Sequence, residues 1–297
     1  MSDLDDLITE ELSLPIDPRV TAMAAALAAC YPESARAVLF YGSCLRQQQL
    51  EGLMLDFYLI VADYQSAYAK RWLRIANRLL PPNVFPFVHE GLSAKYAVLS
   101  EADFARECSP RAGSVSVFAR FAQPARLAWS ADPEARADAV TSVASAVTTL
   151  LRLTRATVLD EEACEPLSVW RTAFNYTYGA ELRAERSSRP ADLVDADPDR
   201  YERLAKAAGL AGWTGIGPGT RKAARRRWRQ LRWRGKLLTL LRLMKASFTF
   251  ANGIDYLAWK INRHAGTDFV LKPWQRRWPL LGALTLLPRL LARGAIR

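Results

Sequence analysis

The sequence predicts an α/β chain in four parts: a mixed sheet with helices over residues 1–132, a mainly helical second domain over 133–211, a Gly-rich linker at 212–220, and a basic amphipathic region over 221–297. Three observations lead there. Strand-length apolar runs alternate with helical patterns in the front third, as they do in mixed α/β domains. Turn signals thin out after Asp132-Pro133-Glu134. Charge is also unevenly placed: the chain of 297 residues carries +11, yet residues 201–297 hold 21 Lys/Arg against three acids (Glu202, Asp255, Asp268), a local balance of +18.

Taken in order, residues 18–37 are Ala-rich with apolar spacing and read as an opening helix that Pro32 brings near its end. Ala37-Val38-Leu39-Phe40-Tyr41 reads as a strand stopped by Gly42-Ser43, and Leu55 to Val61 as a second. The β-branched and aromatic content of the second run supports that assignment. Residues 66–80 have helical spacing with Arg and Lys on one side, and Pro81-Pro82 ends them. Lys95 to Leu99 is a third strand, closed by Ser100-Glu101-Ala102-Asp103 in the form of a helix capping box. Val115 to Phe121 and Ala125 to Trp129 read as further strands. Behind them, 134–159, 166–182 and 199–209 read as helices, and the cluster Gly212 to Gly219 as a linker, since GxGxxG spacing is absent and no strand precedes it.

Several classes drop out. Cys30, Cys44, Cys108 and Cys164 include no CxxC pair, so they form neither a disulfide framework nor a zinc site, and a reducing compartment is expected. His89 and His264 are too few for a His-rich metal cluster. The acidic start, Met1 to Asp6, lacks the basic character of a secretory signal. The apolar stretch Trp278 to Leu287 falls short of the ~20 residues that cross a bilayer, so no transmembrane span is expected.

The chemistry concentrates where a strand ends in Gly42-Ser43 and, after a loop, the next strand carries Asp56. A Gly-Ser turn exposes backbone N–H groups and a hydroxyl to phosphate, and a neighbouring carboxylate suits a hard divalent cation such as Mg²⁺. The alternative is a tight turn followed by an acid at a strand edge. This layout resembles the nucleotidyltransferase superfamily that includes DNA polymerase beta, whose pattern is Gly-Ser and then Asp-x-Asp or Asp-x-Glu. Here alternation puts Tyr58, a poor magnesium ligand, at the second acid's position.

Longer segments narrow the likeness. Tyr41-Gly42-Ser43, Met54-Leu55-Asp56-Phe57, Lys95 to Ser100, and Phe118 to Leu127 with Gln123-Pro124 are similar in order and spacing to the mitochondrial-type phosphatidate cytidylyltransferases, the non-polytopic CDP-diacylglycerol synthases of the translocator maintenance family, which have bacterial relatives. The family's Tyr-Gly-Ser-Gly ends here in Cys44. It commonly has an apolar residue two after the aspartate, so Tyr58 departs less from it than from the superfamily. Tyr176-Thr177-Tyr178-Gly179-Ala180-Glu181-Leu182-Arg183 resembles the family's Ser-Tyr-x-Gly-Asp-x-Arg stretch, with Glu181 at the aspartate position.

The resemblance implies transfer of CMP from CTP to phosphatidic acid, giving CDP-diacylglycerol and pyrophosphate. It assigns catalysis to Asp56, Glu181 and Lys95, nucleotide contacts to Tyr41, Gly42, Ser43, Lys95 and Arg183, and Mg²⁺ to Asp56 and Glu181. A planar Arg183 fork, with Arg186 or Arg189 nearby, suits phosphate oxygens. For Glu181 and Arg183 the alternative is a solvated helix end, and for Lys95 a solvated strand edge.

Residues 221–245 interleave Arg and Lys with Trp228, Leu231 and Trp233, and apolar content continues through Trp259, Trp274, Trp278 and Leu284 to Leu291. Nucleic acid, a solvated helix face and an anionic membrane surface all fit basic residues of this kind; the sustained aliphatic content favours the membrane over nucleic acid. A peripheral protein on the cytoplasmic face of the inner membrane is the expectation. A nucleotidyltransferase for another acceptor, or a noncatalytic module that docks on membrane or nucleic acid, remains the alternative.

Overall fold

Among the described residues of the computed structural model, five strands form one mixed sheet in the order β3-β4-β2-β1-β5. They are β1 (Ala35–Tyr41), β2 (Met54–Val61), β3 (Asn83–His89), β4 (Leu92–Ser100) and β5 (Ala125–Ser130). The structure describes residues 2–47, 50, 52–158, 165–180, 189–210, 218–249 and 272–273. β1 runs antiparallel to β2 and β5, β2 is parallel to β4, and β3 pairs antiparallel with β4. The α/β class expected from the sequence is the one observed.

Both faces of the sheet are covered, which is why its central strands read as unbroken apolar runs instead of alternating ones. One face presents Val38, Phe40, Phe57, Leu59 and Val98 to Val20, Met23 and Leu27 of α2 (Pro18–Ala29). The other presents Leu39, Tyr58, Ile60, Ala97 and Leu99 to α1 (Asp3–Leu12) and to the helices that follow the sheet. That second cluster is continuous from the strands into α8 (Pro133–Arg155), α9 (Pro166–Tyr178), α11 (Pro198–Ala207) and α12 (Pro218–Thr249), the last through Trp228 and Leu231. Glu11 of α1 is held by Arg200 of α11 at 2.6 and 3.0 Å, and Arg200 also donates to the Ala122 carbonyl at 3.2 Å, so three separate segments are tied at one corner.

Local differences from the sequence reading have local causes. α1 is opened by a reciprocal cap in which Ser2 Oγ accepts from the Asp5 amide and Asp5 Oδ2 accepts from the Ser2 amide. α2 stops at Ala29, close to the end expected near Pro32, because residues 31–34 turn and residue 35 enters β1. The helix expected at 66–80 is split into α4 (Tyr64–Ala67) and α5 (Arg71–Leu79) by extended backbone at Tyr68. β3 includes Pro86 and was not anticipated; it lies at the sheet edge, where a residue with no N–H to donate is tolerated.

The strand expected at Val115 to Phe121 is corrected to a buried turn followed by α7 (Phe118–Phe121). Ser100 does cap α6 (Glu101–Cys108), accepting from the Asp103 amide at 3.2 Å. The Asp103 carboxylate does not complete a box, since it accepts instead from Tyr64 Oη at 2.6 Å and pairs with Arg106. The short helices α3 (Ser43–Gln47) and α10 (Arg189–Asp195) complete the set, and the expected linker lies outside the described residues up to 217, with Pro218 opening α12.

Candidate active site

Three neighbouring strands bring the motif residues into one row. Tyr41, the last residue of β1, is the antiparallel partner of Asp56 on β2, and Asp56 is in turn the parallel partner of Lys95 on β4. Lys95 Nζ lies 3.0 Å from Asp56 Oδ1. The carboxylate keeps 17% of its side-chain surface and the ammonium 34%, so both are open to a solute.

Gly42 makes this row possible. Its φ of +98° is one that L residues rarely adopt, and a Cβ there would sit 2.9 Å from Asp56 Oδ2. The turn from β1 into α3 therefore passes directly over the carboxylate, with Ser43 as the first, partly exposed residue of α3. Cys44, where the family resemblance has a second glycine, is accommodated: its thiol is buried and donates to the Met54 carbonyl at 3.5 Å. Burial pushes this thiol up, with the Asp56 charge adding to the shift, so Cys44 is no thiolate nucleophile at neutral pH.

Tyr58 shares Asp56's face as alternation requires, but its ring is buried against Tyr41 at 5.4 Å and Phe121 at 5.2 Å between centroids. The position of a second acid is thus filled by core. Tyr41 is hydrogen-bonded to Arg120, and burial, followed by the Asp56 charge, pushes its phenol well up, so it stays protonated. Arg120, which also donates to the Ser116 carbonyl, was not singled out from the sequence. Its one signal was membership of the Phe118 to Leu127 segment. Gln123 of the same segment is structural: it is buried and donates to the Ala119 carbonyl at 2.8 Å.

The structure therefore brings together Tyr41, Gly42, Asp56 and Lys95, with Ser43 next to Gly42. Glu181 and Arg183 lie outside the described residues, as does Arg186. The chain leading to them is held at Ala180, whose carbonyl a methyl on Gly235 of α12 would strike. Trp228, read from the sequence among the residues for a membrane, is core instead: it donates to the Leu153 carbonyl at 3.0 Å and packs on Tyr176 at 5.0 Å. Arg242 and Lys245 of α12 also turn inward, onto the carbonyls of Leu80, Pro81 and Pro82 and the hydroxyls of Ser114 and Ser116.

Among the described residues no group of three His, Cys, Asp or Glu gathers to hold a metal, and no helix is long and apolar enough to cross a membrane. Asp56 alone fits Mg²⁺ only in the manner of a carboxylate that shares the ion with substrate phosphates and water.

No family model matches the chain, and no curated protein does. Among solved structures, a nucleotidyltransferase-like protein from Exiguobacterium sibiricum 255-15 is 13% identical, with 94% of this chain and 92% of that one covered and a TM-score of 0.27, a likeness that carries no argument about the activity of this chain.

Proposed function

We propose that the protein is a nucleotidyltransferase that moves CMP from CTP to phosphatidic acid, forming CDP-diacylglycerol and releasing pyrophosphate. The observation that supports it is the row of Gly42, Asp56 and Lys95: a glycine turn laid over a carboxylate that is ion-paired to a lysine, all at one end of a mixed sheet. A turn of this kind offers backbone N–H groups and the Ser43 hydroxyl to a triphosphate. Lys95, held between Asp56 and solvent, supplies a cation to phosphate oxygens that compete for it. Asp56, released from part of that pairing, is the residue to hold Mg²⁺ together with Glu181. A divalent cation held by these two carboxylates would supply charge neutralisation to the phosphates.

The acceptor chemistry is consistent with the modest equipment of this row. An oxygen of the phosphatidate phosphate bonds to the α-phosphorus of CTP while the bond from that phosphorus to the bridging oxygen breaks and pyrophosphate leaves. The nucleophile is already an anion, so alignment and charge neutralisation carry the rate and a strong base is not required. Tyr41, kept protonated, is a hydrogen-bond donor beside the carboxylate. The test is direct: purified protein, CTP, Mg²⁺ and phosphatidate should yield CDP-diacylglycerol and pyrophosphate, and Asp56→Ala should not. No product from the wild type with any of a panel of nucleotides and acceptors, with binding unaffected by Asp56→Ala, would leave a noncatalytic module as the correct reading.

A further inference from the structure

Helix α5 leaves three of its four large apolar side chains exposed. The ordinary amphipathic helix turns its apolar stripe to the core and its polar face to water. Here the inward position is Asn77, fully buried, whose amide donates to the Val98 carbonyl of β4 at 2.9 Å and accepts from the Asn83 amide. Asn83 in turn donates to the Leu73 carbonyl at 3.1 Å, so the inner side of the helix is held by polar contacts together with the packing of Leu73 on the core. The outward positions are Trp72, Ile75 and Leu79, spaced three and four apart on one stripe and 47%, 47% and 78% exposed.

Beside that stripe lie the exposed Arg71 and Arg78, while Arg74 is turned back onto the Tyr68 and Ala69 carbonyls. From Gln65 to His89 the chain contains no acid, whereas Lys70, Arg71, Arg74 and Arg78 are all basic. Three exposed large apolar side chains on one stripe mark an interaction surface, and their cationic flank selects an anionic partner.

We propose that α5 is a membrane-docking helix that lays Trp72, Ile75 and Leu79 into the surface of an anionic bilayer, with Arg71 and Arg78 at the headgroups. This deepens the proposed function, on which it rests for the reason why a lipid surface is approached at all. It adds a contact on the sheet domain to the one expected of the C-terminal region, where Trp228, Arg242 and Lys245 face the protein while Trp233 and Leu237 of α12 stay exposed. Asn77 fixes the helix to Val98, three residues along β4 from Lys95 and therefore about 10 Å of extended strand away. α12 reaches the same corner, since Lys245 donates to the Leu80 and Pro82 carbonyls just beyond Leu79.

The experiment is cosedimentation of the full chain with phosphatidylcholine vesicles, with and without phosphatidic acid. The wild type should pellet with the anionic vesicles and much less with the neutral ones. The combined Trp72→Ser, Ile75→Ser and Leu79→Ser variant should lose roughly 100-fold in partitioning, given three side chains that each leave water in part. Arg71→Gln with Arg78→Gln should lose roughly fivefold per residue and much of the salt sensitivity. Leu79→Ser alone, at the most exposed position, should lose severalfold with an unchanged melting temperature, so a folding defect in the triple variant does not obscure the result.

Equal partitioning of wild type and triple variant overturns the proposal, as does a wild type that binds neither vesicle. Protection of Leu79→Cys from a water-soluble maleimide with no vesicles present overturns it as well, because the chain's own residues would then cover the stripe. CMP transfer separates the two readings. A triple variant that is active on dispersed short-chain phosphatidate and inactive on vesicles supports both, whereas a wild type that partitions through α5 but transfers CMP to nothing sinks the proposed function and leaves the docking helix standing.

Discussion

Gly42→Ala is the substitution that tests the geometry of the row most sharply, because its two costs are separable. An L residue in a left-handed conformation costs about 1–2 kcal/mol, and the φ of +98° puts residue 42 there whatever its neighbours do. The added Cβ also meets Asp56 Oδ2 at 2.9 Å, a contact that real Cβ atoms do not show, so the carboxylate must swing away from the turn. Pushing it off its rotamer costs about 0.5–1.5 kcal/mol. Loosening its 3.0 Å pair with Lys95 adds up to about 1 kcal/mol, since both partners retain solvent contact. The total is about 2–4 kcal/mol, which for a chain of this size is a fall in melting temperature of roughly 4–8 °C. Urea unfolding of four proteins, the wild type, Gly42→Ala, Asp56→Ala and the double variant, isolates the second part. In the Asp56→Ala background the alanine should cost only the backbone share, so the two substitutions should couple by about 1–2 kcal/mol. If Gly42→Ala costs the same with and without the carboxylate, Asp56 does not lie against the turn and the proposed site is built wrongly.

Asp56→Asn should lower turnover by a factor of ~10²–10³ while changing unfolding free energy by less than about 1 kcal/mol, because its partner Lys95 is partly exposed; steady-state rates beside denaturant titrations check both halves. Arg200→Met should destabilise by about 3 kcal/mol, since it removes the salt-bridge partner of the largely covered Glu11 carboxylate, and the double variant with Glu11→Gln should recover much of that loss in the same titrations. Burial, with Arg242 adding to it, pushes the Lys245 ammonium down to about 7, so between there and its ordinary value near 10.5 the unfolded chain holds a proton that the folded chain releases. Stability should therefore rise with pH across that window by this contribution and be lowest below pH 7; the difference between wild type and Lys245→Met, measured at pH 6.5 and pH 9.5, should show the wild type gaining on the variant as pH rises.

Much of the sheet was legible because β1, β2 and the second half of β4 are runs of apolar, aromatic and β-branched residues, and burial on both faces is what such runs mean. The same cue failed at Val115 to Phe121. A short apolar run fits a buried helix as well as a buried strand, and here Val115, Phe118 and Phe121 all enter the core from a turn and a single helical turn. β3 was hidden by Pro86 and by the polar Asn83, residues that only an edge position or a long-range hydrogen bond explains. In the site, Gly42 and Asp56 were legible because a positive φ and a carboxylate on the next strand leave residue-type signatures. The pairing of Lys95 with Asp56 was not, since it depends on β2 and β4 lying side by side in parallel register across 30-odd residues of intervening chain. Arg120 was invisible for a similar reason: its partner Tyr41 is almost eighty residues away.

The charge of the chain looks different once residues have places. A balance of +18 in residues 201–297 suggested that the C-terminal region faces an anionic partner with all its cations. In the structure, Arg227, Arg242 and Lys245 of that region donate to backbone carbonyls of the sheet domain, and they serve to fasten α12 down. Arg225, Arg229 and Arg232 of α12 stay exposed, while Trp228 and Leu231 of the same helix are buried. The arginines of α5 are few by comparison, yet two of them flank three exposed apolar side chains, and residues 65–89 contain no acid to cancel them. Charge count alone therefore does not rank the elements. An interfacial contact needs apolar surface and cations together; α12 offers both around Trp233 and Leu237, and α5 offers both on a helix pinned to the strand that carries Lys95.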